Sequence, residues 1–172
     1  MKKIGNYKIE FDDKKVTKIF NKDKLIFFEE YNDGLEKDLP KLDVVIKRIK
    51  TIISKLEKQE KKDQISKERS FVATISLAAA VFLSSINFKA IFLPLVLLDA
   101  LSVYFMFVYK NKVNKTKKDI LSFNYLLDQQ SEEYHNTEDK ILEQNYQISQ
   151  QSIVKEADVN TNTIEKNKTL IK

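Results

Sequence analysis

Residues 91–110 read IFLPLVLLDALSVYFMFVYK. The stretch has the length and oiliness of a membrane-crossing helix, with one carboxylate, Asp99, near its middle. Immediately upstream, residues 71–88 read FVATISLAAAVFLSSINF. From Phe71 to Tyr109 only Lys89 and Asp99 are charged, although charged residues make up 32% of the chain. This contrast defines two apolar spans, 71–88 and 90–109, of 18 and 20 residues. A helix needs roughly 20 residues to cross ~30 Å of hydrocarbon. Asn87 and Lys89 mark the turn between them, and Pro94 falls near the start of the second span, where a missing N–H does least harm.

Asp99 opposes insertion, so its cost has to be set against the gain. A central Asp costs about 2.5–3.5 kcal/mol. The span 90–109 carries twelve Leu, Ile, Val or Phe residues, which together favour insertion by about 4–7 kcal/mol. Insertion is therefore expected, and the lipid bilayer is the first partner implied. Lys and Arg residues flank the block on both sides, from Lys58 to Arg69 and from Lys110 to Lys118, while the turn has Lys89 alone. The positive-inside rule then places both termini in the cytoplasm. The N-terminus, MKKIGNYKIEFDD, has no apolar run of a secretion signal, so the internal block is expected to direct the chain to the membrane.

Polar and small residues inside the block are the candidate intramembrane sites. Ser76, Ala80 and Ser84 recur every fourth residue, a spacing that lets another helix approach closely. Folding the hairpin about residue 88 sets Asp99 opposite Ala78, within a turn of Thr74 and Ser76, whose hydroxyls are expected to donate to it. Ser102 completes the set.

Outside the block, apolar residues recur at Leu39, Leu42, Ile46, Ile49, Ile53 and Leu56, with spacings alternating between three and four. That is a heptad seam. Asp38 is expected to cap this helix, with Pro40 in its first turn. On the far side, Val113, Ile120, Leu127 and Tyr134 repeat every seven, followed by Ile141 and Ile148, with Lys117, Asn124 and Ser131 as poorer companions. Both arms leave one membrane face and pair antiparallel in the register set by the turn. Leu56 then meets Ile120, Ile49 meets Leu127, and Leu42 meets Tyr134. Charges agree with this register: Glu57, Glu60 and Asp63 lie across from Lys112, Lys115 and Lys117, and Lys41, Lys47 and Arg48 across from Asp128, Glu132 and Glu133.

Residues 1–34 read as a small β-meander, with YKIEFD, KVTKIFN and KLIFFEE as strands separated by short DK and KD turns. Residues 149–172 are polar and read as a flexible tail or a weak short helix. The expected class is thus mainly α: a two-helix transmembrane hairpin (71–109) continued by long cytoplasmic antiparallel coiled-coil arms (35–70 and 110–148), with an N-terminal meander.

Chemistry is sparse. The chain has no Cys, and its two glycines, Gly5 and Gly34, are too far apart for a phosphate loop. The single His135, near Glu133, Glu138 and Asp139, reads as part of a solvated helix face, so no metal, cofactor or catalytic residue is expected. The net charge of +5 is modest and sits beside the apolar block, which argues against nucleic acid as a partner. The leading expectation is a non-enzymatic scaffold or anchor that self-associates and presents a cytoplasmic module, with an unidentified cytoplasmic protein as its partner. The alternative is a homo-oligomeric pore or effector with Asp99 near an ion or proton path.

Overall fold

The computed structural model describes residues 1–31, 34–87 and 89–169; the side chains of 86–90 and of 152 onward lie outside the description. Four strands precede two long helices: β1 (Lys2–Ile4), β2 (Tyr7–Asp12), β3 (Lys15–Asn21), β4 (Lys24–Phe28), α1 (Leu35–Asn87) and α2 (Lys89–Thr169). The protein is mainly helical, with a small N-terminal antiparallel sheet.

The sheet is a meander in the order β1-β2-β3-β4. Its turns are tight because Gly5, Asp13, Lys22 and Asp23 all take positive φ. Lys22 and Asp23 form a two-residue connection with positive φ at both positions, the conformation whose twist matches a hairpin. β1 extends the expected sheet by one strand, pairing Lys2–Ile4 with Tyr7–Ile9. Shifts of register between Glu10 and Phe11, and between Ile19 and Phe20, bend the meander.

One face of the sheet presents Ile4, Ile9, Val16 and Ile19 to both helices. There they join Leu42, Val45, Ile49 and Ile52 of α1 and Phe123 and Leu126 of α2 in one core. Burying each of the larger side chains is worth about 1.5–3 kcal/mol, and together they give the small sheet the support it lacks alone. Tyr7 meets Phe123 edge-on at 5.2 Å between ring centroids.

The two helices pack side by side and antiparallel, with Thr74 beside Ser102 and Glu60 beside Lys117. α1 starts at Leu35, ahead of the expected Asp38 cap. Gly34, at φ +94, supplies the carbonyl that accepts from the N–H groups of Lys37 and Asp38. Asp38 is occupied elsewhere: its carboxylate accepts from Lys15 Nζ at 2.7 Å, tying helix to sheet. Pro40 consequently lies within the helix. α2 continues in helical form to Thr169, through the polar stretch read as a tail.

Candidate functional site: an apolar belt with a polar seam

Solvent-facing positions change character abruptly along the helices. Phe71, Val72, Ile75, Phe82 and Leu83 on α1, and Leu93, Leu97, Leu98, Leu101, Phe105 and Phe107 on α2, are all exposed. Ordinary soluble monomers seldom expose a contiguous apolar patch of more than a few hundred Å². One helix, α2 from Ile91, is long and apolar enough to cross a membrane, with an 18-residue window of mean hydropathy 2.3 and none of it buried. The described part of α1 gives no such candidate. The end of the expected first span, residues 86–88, lies where side chains are not described.

The interhelical face runs without a break from 35 to 84 on α1 and from 95 to 141 on α2. On α2, positions 95, 99, 102, 106, 109, 113, 116, 120, 123, 127, 130, 134, 137 and 141 are all buried or half-buried. On α1 the matching series runs 35, 39, 42, 46, 49, 53, 56, 60, 63, 67, 70, 74, 77, 81 and 84. Both alternate spacings of three and four without interruption. Beside the sheet this seam is mostly apolar: Leu42, Ile46, Ile49 and Ile53 are buried and Leu39 and Leu56 half-buried on α1, with half-buried Ile120, Leu127 and Tyr134 and buried Phe123 on α2, where Gln130 and Thr137 are the buried polar members. In the belt polar groups enter it, Ser70, Thr74 and Ser84 on one helix and Asp99 and Ser102 on the other, between Leu77, Val81, Leu95 and Met106.

Thr74 Oγ1 and Ser102 Oγ share a hydrogen bond at 2.6 Å across the seam, and Thr74 also donates toward the Ser70 carbonyl at 2.9 Å. Ser84 is buried and donates to Val81 O of its own helix. Ala80 is half-buried, but Ser76 is exposed. The packed face of α1 therefore runs through Thr74, Leu77, Val81 and Ser84, because alternating three-and-four spacing keeps a face turned to one neighbour where a strict repeat of four drifts off it. The expected donation from Thr74 to Asp99 is replaced by the Thr74–Ser102 pair. Asp99 Oδ1 is buried with no hydrogen-bond partner among the described residues.

A groove of about 400 Å³ opens where the charged arms meet the belt, lined by Lys67, Glu68, Phe71, Val72 and Met106. Below it, Lys117 and Glu60 pair at 3.6 Å. Lys47 and Arg48 do not reach across to α2. Lys47 bonds Asp43 on its own helix, and Arg48 donates to the Ile26 carbonyl of β4 at 2.6 Å. The sheet lies against this part of the stalk and takes up the polar groups that helix pairing alone would match.

The sheet is fixed to α2 by Gln130, which is fully buried. Its Oε1 accepts from Val16 N at 3.0 Å, and its Nε2 donates to Lys14 O at 2.8 Å. Tyr31 donates from its hydroxyl to Val16 O. Burial, the largest cause, with Glu29 and Asp38 nearby, pushes the Tyr31 phenol well above its ordinary range. Burial likewise raises Tyr7, with Arg48 opposing, and raises the Asp119 carboxyl, with Lys115 opposing. Asp23 is held below its ordinary value by its hydrogen bond from Lys8.

Gln130, Thr116 and Thr137 are seam residues that the sequence reading missed. Counting three residues from each member of the series at Val113, Ile120, Leu127 and Tyr134 finds them, together with Phe123; counting four finds Lys117, Asn124 and Ser131. His135 lies 3.6 Å from Glu138, and among the described residues no group of three or more His, Asp or Glu side chains is arranged to hold a metal ion. Comparison with known proteins finds no matching family model, no matching curated protein and no matching solved structure.

Proposed function

We propose that the chain is a two-pass integral membrane protein whose antiparallel coiled-coil stalk holds the sheet module at a set height above the cytoplasmic face. It acts as a self-associating, non-enzymatic scaffold for an unidentified cytoplasmic protein. The observation that carries this reading is the arrangement of exposure. Large apolar side chains face outward on both helices over the same stretch, while Thr74, Ser84, Asp99 and Ser102 are turned into the seam between them. Water would favour the opposite arrangement and lipid favours this one. The basic residues from Lys110 to Lys118 and from Lys61 to Arg69 border the belt on one side, as the positive-inside rule requires of a cytoplasmic boundary. Self-association is supported by α2 beyond Ile141, where Leu142, Tyr146 and Ile148 are exposed.

The natural absence of Cys makes the test direct. In sealed inside-out vesicles, an impermeant maleimide should label Gln147→Cys and leave Ser85→Cys untouched; right-side-out vesicles should reverse the pattern. Labelling of both positions from one side, or recovery of the full chain in the soluble fraction without detergent, overturns the proposal.

A second reading, a homo-oligomeric pore with Asp99 beside an ion path, is favoured by the unpartnered Oδ1 of Asp99. It requires ion flux in liposomes that Asp99→Asn alters. Electrically silent vesicles holding verified oligomer remove it.

A further inference from the structure

We propose that the groove between Lys67 and Met106 is a binding site for one anionic phospholipid of the cytoplasmic leaflet, an inference that rests on the membrane reading above. The groove is graded along the helix axis. Lys67 stands at its stalk end, and Phe71 and Val72 follow one turn further toward the belt, with Met106 across from them on α2. Four to five residues of helix span about 6–7 Å, close to the separation between a phospholipid's phosphate and the first carbons of its acyl chains. A phosphate placed on Lys67 therefore puts acyl carbons on Phe71, Val72 and Met106, all apolar and two of them exposed.

Charge selects the occupant. Among the described residues Lys67, the basic side chain of the groove's lining, forms no ion pair with the protein. By contrast Lys117, further down the stalk, is matched by Glu60. Glu68 is the one acid on the rim, and its Oε1 accepts from Gln64 Nε2 at 2.9 Å, which keeps it engaged along its own helix. An unmatched cation beside an apolar slot complements a phosphate ester carrying hydrocarbon. A soluble anion would leave the slot empty, and a neutral lipid would leave the cation unmatched.

The test uses the full chain purified in mild detergent, with bound lipid counted by native mass spectrometry after addition of phosphatidylglycerol or phosphatidylcholine. Wild type should retain phosphatidylglycerol preferentially. Lys67→Gln should weaken its retention about five-fold, the equivalent of about 1 kcal/mol for one basic contact. Lys118→Gln, which changes charge equally but lies away from the groove, should leave retention unchanged. Val72→Trp fills the slot from an exposed position and should reduce retention without altering charge. Equal retention of the two lipids by wild type, or equal loss in Lys67→Gln and Lys118→Gln, overturns the site in favour of diffuse attraction. Flotation of the same protein with liposomes separates the two claims. A chain that floats without lipid preference loses only this site, and one that fails to float loses the membrane reading as well.

Discussion

Gln130 shows how much one residue can fix. Its side-chain amide stands in for a missing strand by satisfying the N–H of Val16 and the carbonyl of Lys14. Gln130→Leu keeps the volume but leaves the buried Val16 N–H unpaired, at about 1–3 kcal/mol, and removes the donor to the part-buried Lys14 carbonyl. Thermal melting should shift downward, and limited proteolysis should cut first at the Asp13–Lys14 turn. Gly5 is similarly constrained. A Cβ there would lie 2.2 Å from Asp119 Oδ2, and φ is +56. Gly5→Ala should cost at least about 1–2 kcal/mol from the left-handed backbone alone; in an Asp119→Ala background the part due to the clash should vanish and the backbone part remain. Tyr31 gives a pH signature. Its folded-state pKa lies above the ordinary 10.0 of the unfolded chain. The unfolded state therefore loses its proton first, so stability is full below about pH 10 and falls as pH rises beyond it. Tyr7 acts in the same direction. Tyr31→Phe should melt lower at pH 8 for want of the bond to Val16 O, yet lose less on going to pH 11. Parallel curves for the two proteins would contradict this account. None of these residues was legible in advance, because each acts through a partner distant in sequence: Gln130 reaches Val16, and Gly5 meets Asp119.

At the scale of elements, much was legible. Hydrophobic periodicity located the helix pair, and folding about residue 88 set Glu60 among the acids facing Lys112, Lys115 and Lys117, but it assigned Thr74 to Asp99 where the structure pairs it with Ser102. The strands were visible from alternation in YKIEFD and KVTKIFN, whereas β1 was too short to announce itself. Phase was harder. A repeat of seven fixes one seam position but leaves its companion at plus three or plus four, and only packing decides. The cap of α1 was hidden for a different reason: Asp38 looks like a cap in isolation, and its engagement by Lys15 depends on the sheet. Within the belt the seam's polarity makes a prediction. Asp99→Leu removes a central carboxylate whose Oδ1 has no partner, and should favour insertion of the second span by about 2.5–3.5 kcal/mol. A glycosylation-reporter assay of span insertion reads that shift directly. By contrast, a Thr74→Val and Ser102→Ala double-mutant cycle should give a coupling near 0.6 kcal/mol, the usual size of an interhelical hydrogen bond in lipid.

The whole molecule is governed by register. The antiparallel pairing of α1 and α2 sets which residues face one another, and the same register must serve the Thr74–Ser102 bond in the belt, the Glu60–Lys117 pair in the neck and the core beneath the sheet. These levels are linked only through two long helices, so neither arm can change length alone. Removing residues 60–66 from α1 together with 110–116 from α2 deletes one matched heptad from each. The seam keeps its alternation of three and four, the Gln130 contacts with Lys14 and Val16 are untouched, and the sheet moves about 10 Å closer to the belt. Spin labels on the outer sheet face and at the belt boundary should report that shortening, with the melting temperature little changed. Removing residues 60–66 alone should be far more damaging. Every stalk residue of α1 would then face a residue one heptad away from its present partner, so that α1 and α2 would compete for the sheet between two incompatible positions. The single-arm variant should lose cooperative melting of the sheet while helicity persists. If it melts as sharply as the matched double deletion, the sheet is carried by one helix and the idea of a paired stalk setting its height fails.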